Sequence, residues 1–132
     1  MIRSGEALRP IIEAGLGYTL PEAATFIGRL EGDTPVTVAA FSSWVGHDAE
    51  VSLWTAAPFT RGFLKTLGEY AFGVMGCKRI TCRAAGDVPE WHSQLERMGF
   101  VREGCLRGGL DGEIDLVIFG IRKEEYRYGR WQ

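Results

Sequence analysis

Three cysteines and two histidines are all this chain offers for metal or thiol chemistry. Cys77, Cys82 and Cys105 are odd in number and lack any C-x-x-C spacing, and His47 and His92 stand in unrelated settings. That pattern speaks against a disulfide framework or a zinc site and predicts buried thiols in a reducing compartment. Long hydrophobic runs are missing too: nothing approaches the ~20 apolar residues needed to cross a bilayer. The stretch Met1 to Glu6 has no apolar core of the signal-peptide kind, so a cytoplasmic location and no membrane partner are expected. Positive charge is not in excess either. Fifteen Lys and Arg face 17 Asp and Glu for a formal net charge of -2, which argues against broad nucleic-acid binding. No repeat, low-complexity tract or Pro/Gly/Ser linker interrupts the sequence, so residues 1–132 read as one domain.

What is present is ordinary globular chemistry. Hydrophobic residues make up 45% and charged residues 24%, and 132 residues suffice to bury roughly two-thirds of the unfolded surface. Residues 4–16 predict a short helix broken by Pro10, with Leu8, Ile11, Ile12 and Leu16 as its buried stripe. Strands are expected over 23–30, 36–41 and 50–55, joined by short turns into an antiparallel meander, with Val51 and Leu53 on one face. A helix over 62–75 follows, carrying Phe63, Leu64, Leu67, Ala71, Val74 and Met75 at helical spacing and ending at Gly76. Gly68 within it costs about 1 kcal/mol against Ala, so a close approach by the sheet or a ligand is expected there. A strand over 78–83 leads to a second helix, opened by a capping box between Asp87 and Glu90 with Pro89 in the first turn. It turns Trp91, Leu95 and Met98 inward, leaves His92 on its exposed face and stops at Gly99. Strands over 100–106 and 114–121 complete the chain. The unbroken apolar run Leu116 to Phe119 predicts cover on both faces of the last strand.

Several strings in this order resemble the GNAT (Gcn5-related N-acetyltransferase) family. They are Glu69-Tyr70-Ala71-Phe72, Leu95-Glu96-Arg97-Met98-Gly99-Phe100, Val101 to Arg107, and Asp111-Gly112 followed by Asp115 and Phe119-Gly120. The likeness covers about residues 50–125 and is nearest to small GNAT-like proteins of tailed phages, some similar to internal virion proteins of short-tailed phages. It implies a single α/β domain with a mixed, mostly antiparallel central sheet flanked by helices. It also implies an N-terminal part trimmed of the usual first strand and paired helices.

The resemblance implies acetyl-CoA lying against the segment from Leu53, Trp54 and Thr55 to Gly62. The family's turn before the long helix reads Arg/Gln-x-x-Gly-x-Gly/Ala, whose backbone N–H groups approach the pyrophosphate. Here Thr55 stands at the basic position, Pro58 at the first glycine and Thr60 at the second. Proline removes one donor outright. The donors left are the amides of Phe59, Thr60, Arg61 and Gly62, with the Arg61 side chain as a replacement charge. The alternative is an ordinary helix start capped by Thr60 with no ligand. The family's usual catalytic Asn and Tyr fall at Val88 and Leu95, neither of which moves a proton. That leaves Glu50, at the start of its strand, and His47, an imidazole in the turn before it, as candidate bases; a solvated surface role is the alternative for both.

The tail over 122–132 interleaves aromatics with arginines. Tyr126, Arg127, Tyr128, Arg130 and Trp131 are residue types enriched at interface hot spots, and also types that fold back onto a domain. Trp44 and Trp54 are expected to be partly covered. Two functions therefore stand: an acyl-CoA-dependent transferase acting on an amine acceptor, or a non-catalytic phage virion or assembly protein binding phage structural proteins.

Overall fold

The computed structural model describes residues 1–131. One sheet of seven strands runs in the order β1-β2-β3-β4-β5-β7-β6. The strands are β1 (Ile2–Ser4), β2 (Thr25–Glu31), β3 (Thr34–Val45), β4 (Asp48–Thr55), β5 (Arg79–Ala85), β6 (Val101–Leu110) and β7 (Ile114–Arg122). Neighbours pair antiparallel except β4 and β5, which are parallel. Three α-helices flank it: α1 (Arg9–Leu16), α2 (Arg61–Gly68) and α3 (Pro89–Met98). The meander β2-β3-β4 and its strand faces are as the alternation predicts, with Val51 and Leu53 buried. A first strand is present after all, reduced to three residues, and one helix stands where the resemblance implies a trimmed pair.

The two faces of the sheet carry separate cores. On one, Ile12 of α1 and Leu8 just before it pack onto Phe26, Val38 and Ala40. On the other, Phe63, Leu67 and Leu95 from α2 and α3 cover Phe41, Val51, Ile80 and Phe119. Pro10 does not break α1. It sits in the first turn, where the missing N–H has no partner to lose. Gly15 lets α1 lie directly on the Trp54 ring, since a Cβ there would come within 2.1 Å of it.

The helix expected over 62–75 changes its winding midway. After Gly68 the chain forms a π-helical turn over Glu69–Val74, with the Met75 amide reaching back five residues to the Tyr70 carbonyl at 2.8 Å. The wider turn rotates everything after it. Phe72 therefore becomes buried, while Val74, expected on the inner stripe, is 76% exposed. The close approach at Gly68 comes from neither sheet nor ligand. A Cβ there would meet the Tyr126 ring at 2.6 Å.

Three smaller expectations are corrected. The capping box at Asp87 and Glu90 does not form; Val88 holds the N-cap position and no side chain caps α3. On β7, Val117 and Phe119 are buried but Leu116 and Ile118 are only half covered, because no helix lies over that part of the α1 face. Cys77 and Cys82 are buried, but Cys105 is exposed.

Candidate functional site

The sheet opens at its centre. β4 and β5 keep parallel register through only three pairs, ending at Glu50 opposite Thr81. β4 nevertheless continues to Thr55 and β5 to Ala85, so the strands part beyond that pair. Strand alternation sends Ala49, Val51 and Leu53 into the α2 side, and turns Glu50 and Ser52 to the α1 side. Arg83 follows Thr81 by two and shares that face. A cleft of about 580 Å³ lies there, between the end of α1 and the parted strands, lined by Tyr18, Glu50, Ser52, Arg83, Trp91 and Leu116 among others. A second lobe of about 350 Å³ continues along Trp54, Thr55, Val88 and Gln94, sharing Leu16, Leu53 and Trp91 with the first.

The charged centre of the cleft is an ion pair, Arg83 Nε to Glu50 Oε1 at 2.5 Å. The arginine lies one strand away from Glu50 and had no signal of its own in the sequence. Facing the pair is Tyr18, on the loop after α1. Arg9 fastens that loop: its guanidinium donates to the carbonyls of Leu20 at 3.1 Å, Pro21 at 3.1 Å and Glu22 at 3.0 Å. The Leu20 amide in turn donates to Glu13 at 2.7 Å. Partial burial raises the Tyr18 hydroxyl above its ordinary range; Cys82 and Glu50 push the same way, and the Ser52 side chain and Arg83 pull against it. Tyr18 thus keeps its proton through neutral pH. The floor of the cleft includes Cys82, whose thiol burial pushes up to about 12, so it is no nucleophile at neutral pH.

His47 is not part of this arrangement. It sits exposed in the β3–β4 turn and does not line the cleft, and its carbonyl accepts from the amides of Lys78 and Arg79. His92 is not on the open face of α3 either; its Nε2 lies 2.8 Å from the Ala85 carbonyl, against the Phe119 ring. Leu95 is fully buried, leaving no proton donor at that position.

In the turn over 56–60, the fold itself consumes several of the expected contacts. The Thr55 hydroxyl lies 2.7 Å from that of Thr37 and 3.1 Å from the Val36 carbonyl. Thr60 caps α2, its Oγ1 accepting from the Phe63 amide at 3.1 Å. The Arg61 guanidinium rests over the Tyr128 ring at 5.5 Å. Phe59 packs on Trp91 with ring centroids 5.7 Å apart, joining the turn to α3. Leu53 buries its side chain, so only its backbone faces the opening, and Trp54 lies against Gly15. Among the described residues the amides of Phe59, Thr60, Arg61 and Gly62 make no hydrogen bond. The Gln94 Oε1 is buried in the second lobe without a partner.

The tail folds back. Tyr126 is 0% exposed, packed between Phe72 and Tyr128, and its O–H donates to the Leu64 carbonyl. Trp131 packs on Phe72, leaving Arg127 and Arg130 at the surface with Tyr128 half-buried. Tyr126 therefore presents nothing to a partner. Trp44 is 58% exposed and Trp54 half-buried, as expected. No helix among the described residues is long and apolar enough to cross a membrane.

No family model matches the sequence, and no curated protein sequence matches it. Solved structures do. A single-residue mutant of the spermidine N-acetyltransferase SpeG from Vibrio cholerae aligns at 16% identity over 96% of each chain, with a TM-score of 0.77. SpeG in complex with manganese ions aligns at 15% identity over 94% of this chain and 92% of that one, with a TM-score of 0.76. A chimera of SpeG with hSSAT gives 16% identity, 92% and 94% coverage and a TM-score of 0.75. At these identities the likeness speaks for architecture alone: this chain is a single α/β domain with the GNAT fold.

Proposed function

We propose that this protein is an acyl-CoA-dependent N-acyltransferase, transferring acetyl from acetyl-CoA to an amine. The observation that carries the reading is the parting of β4 and β5 beside a cleft that brings together one carboxylate, one guanidinium and one phenol. A fold alone would not support it, since one architecture hosts many chemistries.

The residues present suit the cofactor in three ways. Past Glu50, β4 loses its parallel neighbour, which leaves backbone groups along 51–55 free to bond an extended, amide-bearing chain. The Gln94 Oε1, buried without a partner at the second lobe, would gain one if its amide turned toward a bound ligand. The four free amides at the start of α2, with that helix's dipole, favour a phosphate group despite the donor lost at Pro58. When bound, acetyl-CoA would supply the activated acetyl group.

The chain's own residues handle orientation and protons. Glu50 accepts the proton that an incoming ammonium must lose before its nitrogen can attack, and Arg83 fixes the direction of that carboxylate. Tyr18 Oη, protonated through neutral pH, is the donor for a departing thiolate. Partial enclosure between α1, α3 and the sheet limits water around both. The buried, protonated Cys82 favours direct attack by the amine over an acyl-enzyme.

The test is release of free CoA thiol from acetyl-CoA in the presence of a panel of primary amines. The reading requires amine-dependent release that follows enzyme concentration and falls at least a hundredfold in Glu50→Gln. Release at the uncatalysed rate with every amine would overturn it. The other reading, a non-catalytic phage component, draws on the tail, whose largest aromatic side chains are spent inside the domain.

A further inference from the structure

We propose that the cleft selects a small apolar α-amino acid, gripping its ammonium with Glu50 and its carboxylate with Arg83; as an account of the acceptor, this rests on the transferase reading above. The argument begins with charge. Of the residues lining the main lobe, Glu50 is the sole carboxylate and Arg83 the sole cation. Such a site is neutral as a whole and locally dipolar. A polyamine brings several cations and would meet one carboxylate with a guanidinium beside it, an arrangement that repels the second charge. A simple amine would satisfy Glu50 and leave Arg83 facing an apolar group. A zwitterion answers both charges at once.

The geometry of the pair leaves room for this. Its closest contact runs from Arg83 Nε to Glu50 Oε1. The Arg83 guanidinium donates no hydrogen bond to any other group among the described residues, so its two terminal nitrogens remain free for a carboxylate, which arginine binds with two parallel bonds. A carboxylate has capacity for several donors, so Glu50 can keep Arg83 and still accept from an ammonium. Arg83 leans out half-exposed, and Glu50 lies deeper. The order predicts that the amine enters first, toward the opening between the strands, with the carboxylate left nearer solvent. Around the charged pair the lobe carries no further charge: apolar Leu20, Leu110, Leu116, Val88 and Trp91 line it together with the hydroxyls of Tyr18, Thr19, Ser42 and Ser52. The apolar part suits an aliphatic or aromatic side chain, and no second carboxylate is there to pair with a second ammonium.

The experiment is calorimetric titration of the full chain, alone and with saturating CoA. The ligands are L-leucine, L-phenylalanine, their decarboxylated counterparts 3-methylbutylamine and phenethylamine, and spermidine. Each amino acid is expected to bind at least about tenfold tighter than its matching amine and tighter than spermidine, since a group built to pair with a carboxylate discriminates against a ligand lacking one. Arg83→Gln should bring that ratio close to one, and Arg83→Lys should restore part of it. Melting temperatures of both variants confirm folding. Equal or tighter binding of the amines or spermidine, no amino-acid binding at millimolar concentration, or an unchanged ratio in Arg83→Gln would each overturn the proposal. The thiol-release assay separates the two readings. Amino-acid preference without thiol release sustains the selectivity and sinks the transferase, whereas thiol release with no preference does the reverse.

Discussion

The two ends of β4 solve opposite problems. At the turn over 56–62, polar groups are largely used by the fold: Thr55 bonds back to Thr37, Thr60 caps α2, and Arg61 lies over Tyr128. At the other end, Glu50 and Arg83 project from neighbouring strands into a cavity, and Tyr18 is carried toward them on a loop fastened by Arg9. The first set stabilises the chain whether or not anything binds. The second does little for folding, since a partly exposed ion pair contributes about 0–1 kcal/mol and Tyr18 is 46% exposed. Side chains that a fold holds in place without needing them are where chemistry is to be sought.

The largest expected effect breaks the open end. Glu50→Gln keeps the shape and removes the base, and should lower kcat by about 10²- to 10³-fold with little change in melting temperature. A drop below about threefold in steady-state assays would remove Glu50 from the chemistry. At the self-satisfied end, Gly68→Ala should cost about 1–3 kcal/mol in denaturant unfolding, because its Cβ would press into the buried Tyr126 ring. A neutral substitution would mean the tail can lift away from α2.

Alkaline titration separates the ends in another way. Burial raises Tyr126 above its usual value and pushes Cys82 up to about 12, so both stay protonated in the folded chain at pH values where the unfolded chain ionises. Stability should therefore be full below about pH 9, the ordinary thiol range, and decline above it by up to about 1.4 kcal/mol per pH unit for each group. Cys82→Ala should make the decline shallower while the onset stays, because burial raises the Cys77 thiol too; an unaltered unfolding profile would contradict burial as the cause.

Tyr18→Phe is expected to lower kcat about tenfold and leave the acetyl-CoA Kd unchanged, since the ring remains and only the proton donor is lost. The smallest effect belongs to Arg61. Parked on Tyr128, it should weaken acetyl-CoA binding less than about threefold when changed to Ala, worth under 1 kcal/mol in calorimetry. A tenfold loss would show that the guanidinium leaves its perch for phosphate, making the two ends one site.

Much of this architecture was legible in the sequence because it depends on local signals. Alternation in residues 50–55 gave β4 its two faces, and Gly76 and Gly99 mark the ends of their helices with left-handed φ values of 72° and 110°. The π-helical turn was not legible, and neither was the packing of Tyr126 and Trp131 from the tail against Gly68, just before it. The Asp87–Glu90 spacing suggested a cap, yet the N-cap position of α3 falls on Val88, with no side chain reaching back. Glu50 was legible as a candidate from its place on β4. Arg83 and Tyr18 were not, because one needs the parallel register of β4 with β5 and the other needs the loop clamp of Arg9. Contacts of that range leave no periodic trace.

The central claim is that the parted strands still receive the cofactor although Pro58 has taken one donor from the turn. Calorimetric titration of the purified protein with acetyl-CoA tests it most directly. The account predicts saturable binding in the micromolar range, about -8 kcal/mol, with a matching rise in melting temperature. No heat and no shift at millimolar acetyl-CoA would contradict it, and would mean that the opening between β4 and β5 persists without the ligand it fits.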